Sequence, residues 1–129
     1  MAALSVHLPD NRKHFAPGDI LKANAVWQLD HAPRKIYLRL FWYTRGKGTE
    51  DIEVLSETVF DYPQAQETRQ FEIALPQSPY SFNGKLVSLI WALELVTDNN
   101  ETAARKEIVI SPYGNEVDLL KHSSESLPA

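Results

Sequence analysis

The run Gly46-Lys47-Gly48-Thr49 holds the residue types that cradle phosphate, since clustered backbone N–H groups and an ammonium can surround an anion. A phosphate loop needs the spacing G-x-x-x-x-G-K-[ST] between a strand and a helix, and neither is present, so the run reads as a plain hairpin loop. The four histidines His7, His14, His31 and His122 bring imidazole, a ligand for zinc, copper or nickel. None stands at the i, i+2 or i, i+4 spacing that puts two rings on one face, and they read as solvent-exposed side chains. The acid pairs Glu50 with Asp51 and Asp98 with Glu101 lie among polar neighbours. A general acid needs a carboxyl group desolvated against apolar walls, and the calcium-loop pattern is absent. Ser81 stands beside a tight turn, but no G-x-S-x-G elbow surrounds it, and its hydroxyl is expected to bond the backbone of its own loop. No catalytic constellation emerges, and neither cofactor nor metal is expected.

What remains is surface chemistry. Between Ile36 and Tyr43, Ile36, Leu38, Leu40 and Trp42 share one parity, and Tyr37, Arg39, Phe41 and Tyr43 share the other. The second set puts an aromatic patch with one arginine on the side expected to face outward, with Ile90 and Ala92 of a neighbouring strand beside it. Tyrosine and arginine are residues that anchor interfaces, which makes Tyr37, Arg39, Phe41, Tyr43 and Ile90 the candidate interaction surface. The alternative is that proline-containing loops, or the segment Val117 to Leu120, fold over the patch within the monomer.

Composition narrows the class of protein that presents such a surface. A chain of 129 residues is one domain's worth and can bury a core without staples. It contains no cysteine, which excludes a disulfide core, a thiol nucleophile and a zinc-thiolate site and fits a reducing compartment. The net charge of −4 argues against nucleic acid or an anionic membrane as partner. No apolar run is long enough for a membrane span, and the N-terminus lacks the basic and apolar regions of a signal peptide, so a cytoplasmic location is expected.

The elements that must position the patch are strands. Leu4, Val6 and Leu8 alternate with polar residues up to Pro9, predicting a short edge strand, and Asp10 to Asp19 reads as loop. From Ile20 to Leu29 the set Leu21, Ala23, Ala25, Trp27 and Leu29 alternates with polar residues, and the small alanines leave room for Trp91 or Trp42 from a facing sheet. Glu50 to Phe60 is a weaker strand whose apolar parity changes between Val54 and Leu55, as a β-bulge would cause, and whose acids suit an exposed edge. Thr97 to Thr102 is a hairpin turn, and the returning strand runs from Ala103 to Ile110. Asn115 to His122 can form a short helix.

The most informative stretch is Phe71 to Val96. Phe71, Ile73 and Leu75 alternate as a half-buried strand ended by Pro76. Pro79 and Asn83-Gly84 then shape a connection in which Tyr80 or Phe82 should plug the end of the core. Val87, Leu89, Trp91, Leu93 and Leu95 share one face of the long strand that follows. The pattern of strand, Leu75-Pro76, spacer, Pro79-x-Ser81-Phe82-x-Gly84 and long strand resembles arrestin-type domains. The turn Phe15-Ala-Pro-Gly-Asp19 is similar to one that opens an early strand of that family, although Ala23 stands where the family often has glycine.

The resemblance implies an all-β, immunoglobulin-like (arrestin-like) antiparallel β-sandwich of about seven strands over residues 1–112, followed by a C-terminal tail over 113–129. Strands at Ile36 to Tyr43, Leu86 to Val96 and Ala103 to Ile110 are expected in one sheet. Those at Ile20 to Leu29, Glu50 to Val59 and Thr68 to Leu75 are expected in the other. Trp27, Trp42 and Trp91 all lie on apolar parities and are expected in the core. By the same resemblance the chain would be a non-catalytic adaptor or scaffold that binds another protein, with a weak homodimer through the aromatic patch as one form of association. The phosphate-sensing and receptor-binding residues of animal arrestins find no matching positions. The alternative is a small-ligand or carbohydrate-binding sandwich, whose aromatics would stack on sugar rings.

Overall fold

A computed structural model of the chain describes residues 3–46, 48, 50–84, 86–100, 102–112 and 117–118. Its strands are β1 (Ala3–His7), β2 (His14–Phe15), β3 (Ile20–Gln28), β4 (Lys35–Gly46), β5 (Ile52–Asp61), β6 (Gln66–Ala74), β7 (Phe82–Asn83), β8 (Val87–Thr97), β9 (Ala103–Ile110) and β10 (Val117–Asp118). β1, β3, β4, β5, β6, β8 and β9 have five residues or more, and the other three are two-residue bridges. A single 3-10 turn, Pro9–Asn11, is the sole helical element among the described residues.

The small sheet has the order β1-β3-β6. The large sheet runs β5-β4-β8, and the far edge of β8 is shared: β9 pairs along Trp91 to Val96, and β7 pairs at Ser88 and Leu89. The two sheets pack as a sandwich whose core joins Leu21, Ala23, Ala25 and Trp27 of β3 with Ile36, Leu38 and Leu40 of β4 and Leu89, Trp91, Leu93 and Leu95 of β8. The alternation read from sequence therefore places the core faces of β3, β4 and β8.

Four expectations about the strands and the tryptophans need correction. β5 belongs to the large sheet and not the small one: it pairs with β4 from Lys35–Asp61 to Tyr43–Ile52, with a bulge opposite the step from Leu40 to Phe41. The extra residue Leu55 is the physical reason that the apolar parity breaks there, because two residues on β5 oppose one on β4. The loop from Asp10 to Asp19 contains β2, which pairs in parallel with β9. Val117–Asp118 is strand, parallel to β7, inside the stretch Asn115 to His122 that reads as a helix, and the rest of that stretch and of the expected tail, 113–116 and 119–129, lies outside the described residues. Trp27 and Trp91 are fully buried, but Trp42, opposite Trp91 in register, is half-buried.

Local chemistry explains how the loops are held. Ala16-Pro17-Gly18-Asp19 is a tight turn closed by Asp19 N–H to Ala16 C=O at 3.1 Å, with Gly18 at φ 82°, the conformation that glycine adopts at no steric cost. Trp27 Nε1–H donates to Gln64 C=O at 2.8 Å, and its ring tilts against Phe60 with centroids 5.7 Å apart. Glu67 accepts from Gln64 N–H at 2.9 Å and pairs with Arg69, whose hydrogen bond is the first cause holding the Glu67 carboxyl below its usual range. The hairpin after β8 turns on Asn100 at φ 59°, a conformation asparagine tolerates.

The connection from Pro76 to Gly84 is fastened by hydrogen bonds more than by an aromatic plug. The Ser78-Pro79 bond is cis, and Pro79 C=O accepts from Trp91 Nε1–H at 2.9 Å. Ser81 is buried; its N–H donates to Ile110 C=O at 2.8 Å, and its Oγ accepts from Ile110 N–H at 3.0 Å. Phe82 packs half-buried against the core, while Tyr80 is exposed. The Ser81 hydroxyl thus serves β9 and not its own loop.

Ser81→Ala should leave the buried Ile110 N–H without its acceptor, at a cost of about 1–3 kcal/mol. Urea unfolding of wild type and variant measures it. An unchanged midpoint would show that this bond does not fasten the connection.

Candidate interaction face

The outer side of the large sheet carries the residues singled out from sequence, and the strand register shows why they meet. Successive side chains of a strand point to opposite faces, so residues directly opposite one another across the ladders form rows on one face. One row is Glu57 on β5, Arg39 on β4, Glu94 on β8 and Arg105 on β9. The next is Val54, Phe41, Ala92 and Glu107, and beyond it stand Ile52, Tyr43 and Ile90. On the other side lie Val59, Tyr37, Val96 and Ala103. All five predicted surface residues therefore share one face.

The charged row alternates in sign across four strands. Arg39 Nε donates to Glu57 Oε2 at 2.8 Å, Arg39 Nη1 lies 3.7 Å from Glu94 Oε1, and Arg105 Nη2 lies 3.5 Å from Glu94 Oε2. The same guanidinium groups lie on the rings beside them. Arg39 sits 5.2 Å from the centre of the Tyr37 ring; Arg105 sits 5.0 Å from Phe41 and 5.4 Å from Tyr43. Arg45 adds a third contact, 5.8 Å from the Tyr43 ring, donates to Tyr43 Oη at 3.0 Å and pairs with Glu107 at 3.7 Å. Phe41 and Tyr43 stack on each other with centroids 5.9 Å apart.

This cover changes the status of the patch. Phe41 is only 2% exposed although it lies on the outer side of the sheet, because Ala92 beside it is small and Arg105 lies above it. Tyr37, Arg39, Tyr43 and Ile90 are half-buried. Phe41 is thus a core residue of the face, unable to meet its own copy across a dimer contact without displacing Arg105. The cover comes from arginine side chains on β4 and β9, a device that a parity reading of one strand cannot reveal. The open apolar surface lies one strand further out, where Ile52 is 66% and Val54 51% exposed, and Leu55 and Val59 are also exposed.

Magnitudes separate the two contributions of the arginines. Exposed ion pairs contribute about 0–1 kcal/mol each, whereas burying a phenylalanine side chain is worth about 1.5–3 kcal/mol. With the Arg39 and Glu57 side chains 31% and 42% exposed, and those of Arg105 and Glu94 49% and 25%, these ion pairs contribute less than the burial of Phe41 beneath the Arg105 guanidinium.

The other residues with candidate chemistry do not converge. His7, His14 and His31 are exposed and separate, and His122 lies outside the described residues. Among the described residues no group of three or more histidine, aspartate or glutamate side chains is placed to hold a metal ion. Gly46 ends β4 and Gly48 lies in the loop beyond, while Lys47 and Thr49 are outside the described residues. A cleft of about 360 Å³ opens where β7 and β9 part along β8, lined by Lys13, His14, Arg45, Ser88 and Glu107 among others. The sequence does not reveal it, because the two-residue β2, which brings Lys13 and His14 there, is too short to show a strand period.

No family model matches the chain, and no curated protein matches it. Among solved structures, Spo0M, a sporulation control protein from Bacillus subtilis, superposes with a TM-score of 0.61 over 85% of this chain at 16% identity. This chain spans about half, 49%, of the Spo0M chain. That likeness shows the fold. A superoxide reductase (neelaredoxin) from Ignicoccus hospitalis, at 15% identity, covers 84% of this chain and 79% of its own with a TM-score of 0.47. A β-glucosidase from Listeria innocua, also at 15% identity, covers 91% of this chain and 16% of its own with a TM-score of 0.48. Neither of these two weaker superpositions carries an argument. None of the described helical residues forms a helix long and apolar enough to cross a membrane.

Phe41→Ala should cost about 3–5 kcal/mol, the range for a buried phenylalanine, despite its place on the outer side of the sheet. Chemical denaturation measures it. A loss below about 1 kcal/mol would show that Arg105 and Ala92 do not enclose the ring.

Proposed function

We propose that this chain is a non-catalytic, arrestin-like β-sandwich module that acts as a cytoplasmic adaptor or scaffold by binding another protein. The superposition on Spo0M, a protein of arrestin-like fold, supports the fold part of this reading together with the Leu75-Pro76 to Gly84 pattern. The observation that carries the binding part is the outer face of the large sheet. There the exposed Ile52 and Val59 stand directly opposite the half-buried Tyr43 and Tyr37, and between them the exposed Val54 stands opposite Phe41 and Glu57 opposite the half-buried Arg39. Tyrosine and arginine flanking open apolar side chains are the composition of an interface core and rim.

A second reading, a small-ligand module, is favoured by the cleft between β7 and β9. Lys13, His14 and Arg45 would there select an anionic ligand, with Glu107 engaged by Arg45.

Affinity capture from an extract of the source cells, with immobilised wild type and with Tyr37→Ala/Ile52→Asp, tests the first reading. A protein retained by wild type and lost by the variant at unchanged melting temperature is expected. Equal retention by both would contradict the assignment of the face. No retained protein, with a thermal shift on adding a small anion that Arg45→Ala abolishes, would favour the cleft.

A further inference from the structure

The large sheet ends on one side at β5, and no strand among the described residues lies beyond it. The register tells which of its backbone groups stay free. Tyr62 N–H donates to Arg34 C=O at 2.8 Å at one end of the β4–β5 ladder, and Thr44 N–H donates to Asp51 C=O at 2.9 Å at the other. Bonded and non-bonded pairs alternate in an antiparallel ladder. Counting inward from both ends, Glu53, Ser56, Thr58 and Phe60 turn their backbone toward β4, while Ile52, Val54, Glu57, Val59 and Asp61 turn theirs outward. The bulge at Leu55 keeps the side chains of Ile52, Val54, Glu57 and Val59 on the outer face along both halves of the strand.

Edge strands of this length are usually blunted by charge. Here the blunting has one sign. Glu50, Asp51 and Glu53 form no ion pair with another described residue, and Glu57 and Asp61 are matched by Arg39 at 2.8 Å and Lys35 at 3.9 Å. Glu53, and Asp51 just before the strand, are on its inner parity, and the exposed Ile52, Val54 and Val59 share the outer one. Such an edge repels a second copy of itself and attracts a strand of opposite charge.

We propose that β5 is a docking edge for an extended segment of a partner protein that alternates apolar and basic residues and joins the large sheet as an added strand. The apolar residues of that segment lie beside Ile52, Val54 and Val59, and its basic residues lie on the parity of Asp51 and Glu53. The proposal rests on the protein-binding reading above and adds the site and the chemistry of the partner.

Fluorescence anisotropy of the full chain with a blocked peptide of alternating lysine and valine, long enough to span β5, tests it. Wild type should bind this peptide. A glutamate–valine peptide, and the lysine–valine peptide N-methylated at every second residue, should each bind about tenfold more weakly or worse, from charge reversal and unmade hydrogen bonds. Val59→Pro removes only an outward donor, a place where an edge strand accepts proline, and should weaken binding by about tenfold at an unchanged melting temperature. The N-methylated peptide gives the same information on wild type should the proline variant melt early. No binding of the lysine–valine peptide, equal binding of either control peptide, or a folded Val59→Pro of undiminished affinity would overturn the proposal. A wild-type dimer in sedimentation equilibrium that Val59→Pro abolishes would also overturn it, assigning the edge to a second copy. Where affinity capture depends on Tyr37 but not on Val59→Pro, the edge proposal fails and the protein-binding reading stands. Where nothing is captured, that reading itself fails.

Discussion

The large sheet is buried on one face only. The small sheet covers its inner side, and no layer of the described residues covers the outer side, yet Phe41, Ala92 and Val96 on that side are nearly inaccessible. An apolar sheet face open to water must be covered by a partner, by another element or by its own long side chains. Here the guanidinium groups of Arg39, Arg45 and Arg105 lie over Tyr37, Phe41 and Tyr43, and each meets a glutamate on another strand of the sheet. The alternation of charge along the row from Glu57 to Arg105 gives each internal arginine or glutamate partners on both sides.

β8 is the element that makes this cover fit. It pairs along its length with β4, and its other edge is divided between β9 and β7. Its inner face supplies Leu89, Trp91, Leu93 and Leu95 to the core; its outer face supplies Ala92, a small residue directly opposite Phe41, and Glu94, which bridges two arginines. The division of its edge, fixed by Ser81 to Ile110, also opens the cleft that Lys13 and His14 line. Two surfaces with different chemistry thus depend on one strand.

Much of the architecture is legible in the sequence because period-2 alternation reports burial directly. Leu21 to Leu29, Ile36 to Trp42 and Val87 to Leu95 each read as they fold, and the parity of Tyr37 to Tyr43 correctly groups those side chains on the outer face. β5 reads into the wrong sheet for a physical reason: Leu55 breaks its alternation, and strand pairing is decided by partners far away in the chain. The arginine cover was invisible for the same reason. Arg39 meets Glu94 only because β4 and β8 are neighbours in a given register, and nothing near Arg39 in sequence announces a residue that far along the chain. Two-residue bridges such as β2 and β7 have too few residues to show a period at all.

The face can serve as an interface because its cover is made of side chains, which can rearrange at lower cost than a strand or loop. In the proposed function its exposed margin on β5 is where a partner would engage without first uncovering Phe41. On this arrangement the guanidinium groups keep the aromatic face from driving self-association. Sedimentation equilibrium of wild type and of Arg39→Ala/Arg105→Ala, with a hydrophobic dye added to parallel samples, tests it most directly. A monomeric wild type with little dye binding is expected, together with a folded double variant that binds dye and self-associates. A double variant that stays monomeric and dye-free, or a wild type that already self-associates through Tyr37 and Tyr43, would contradict it.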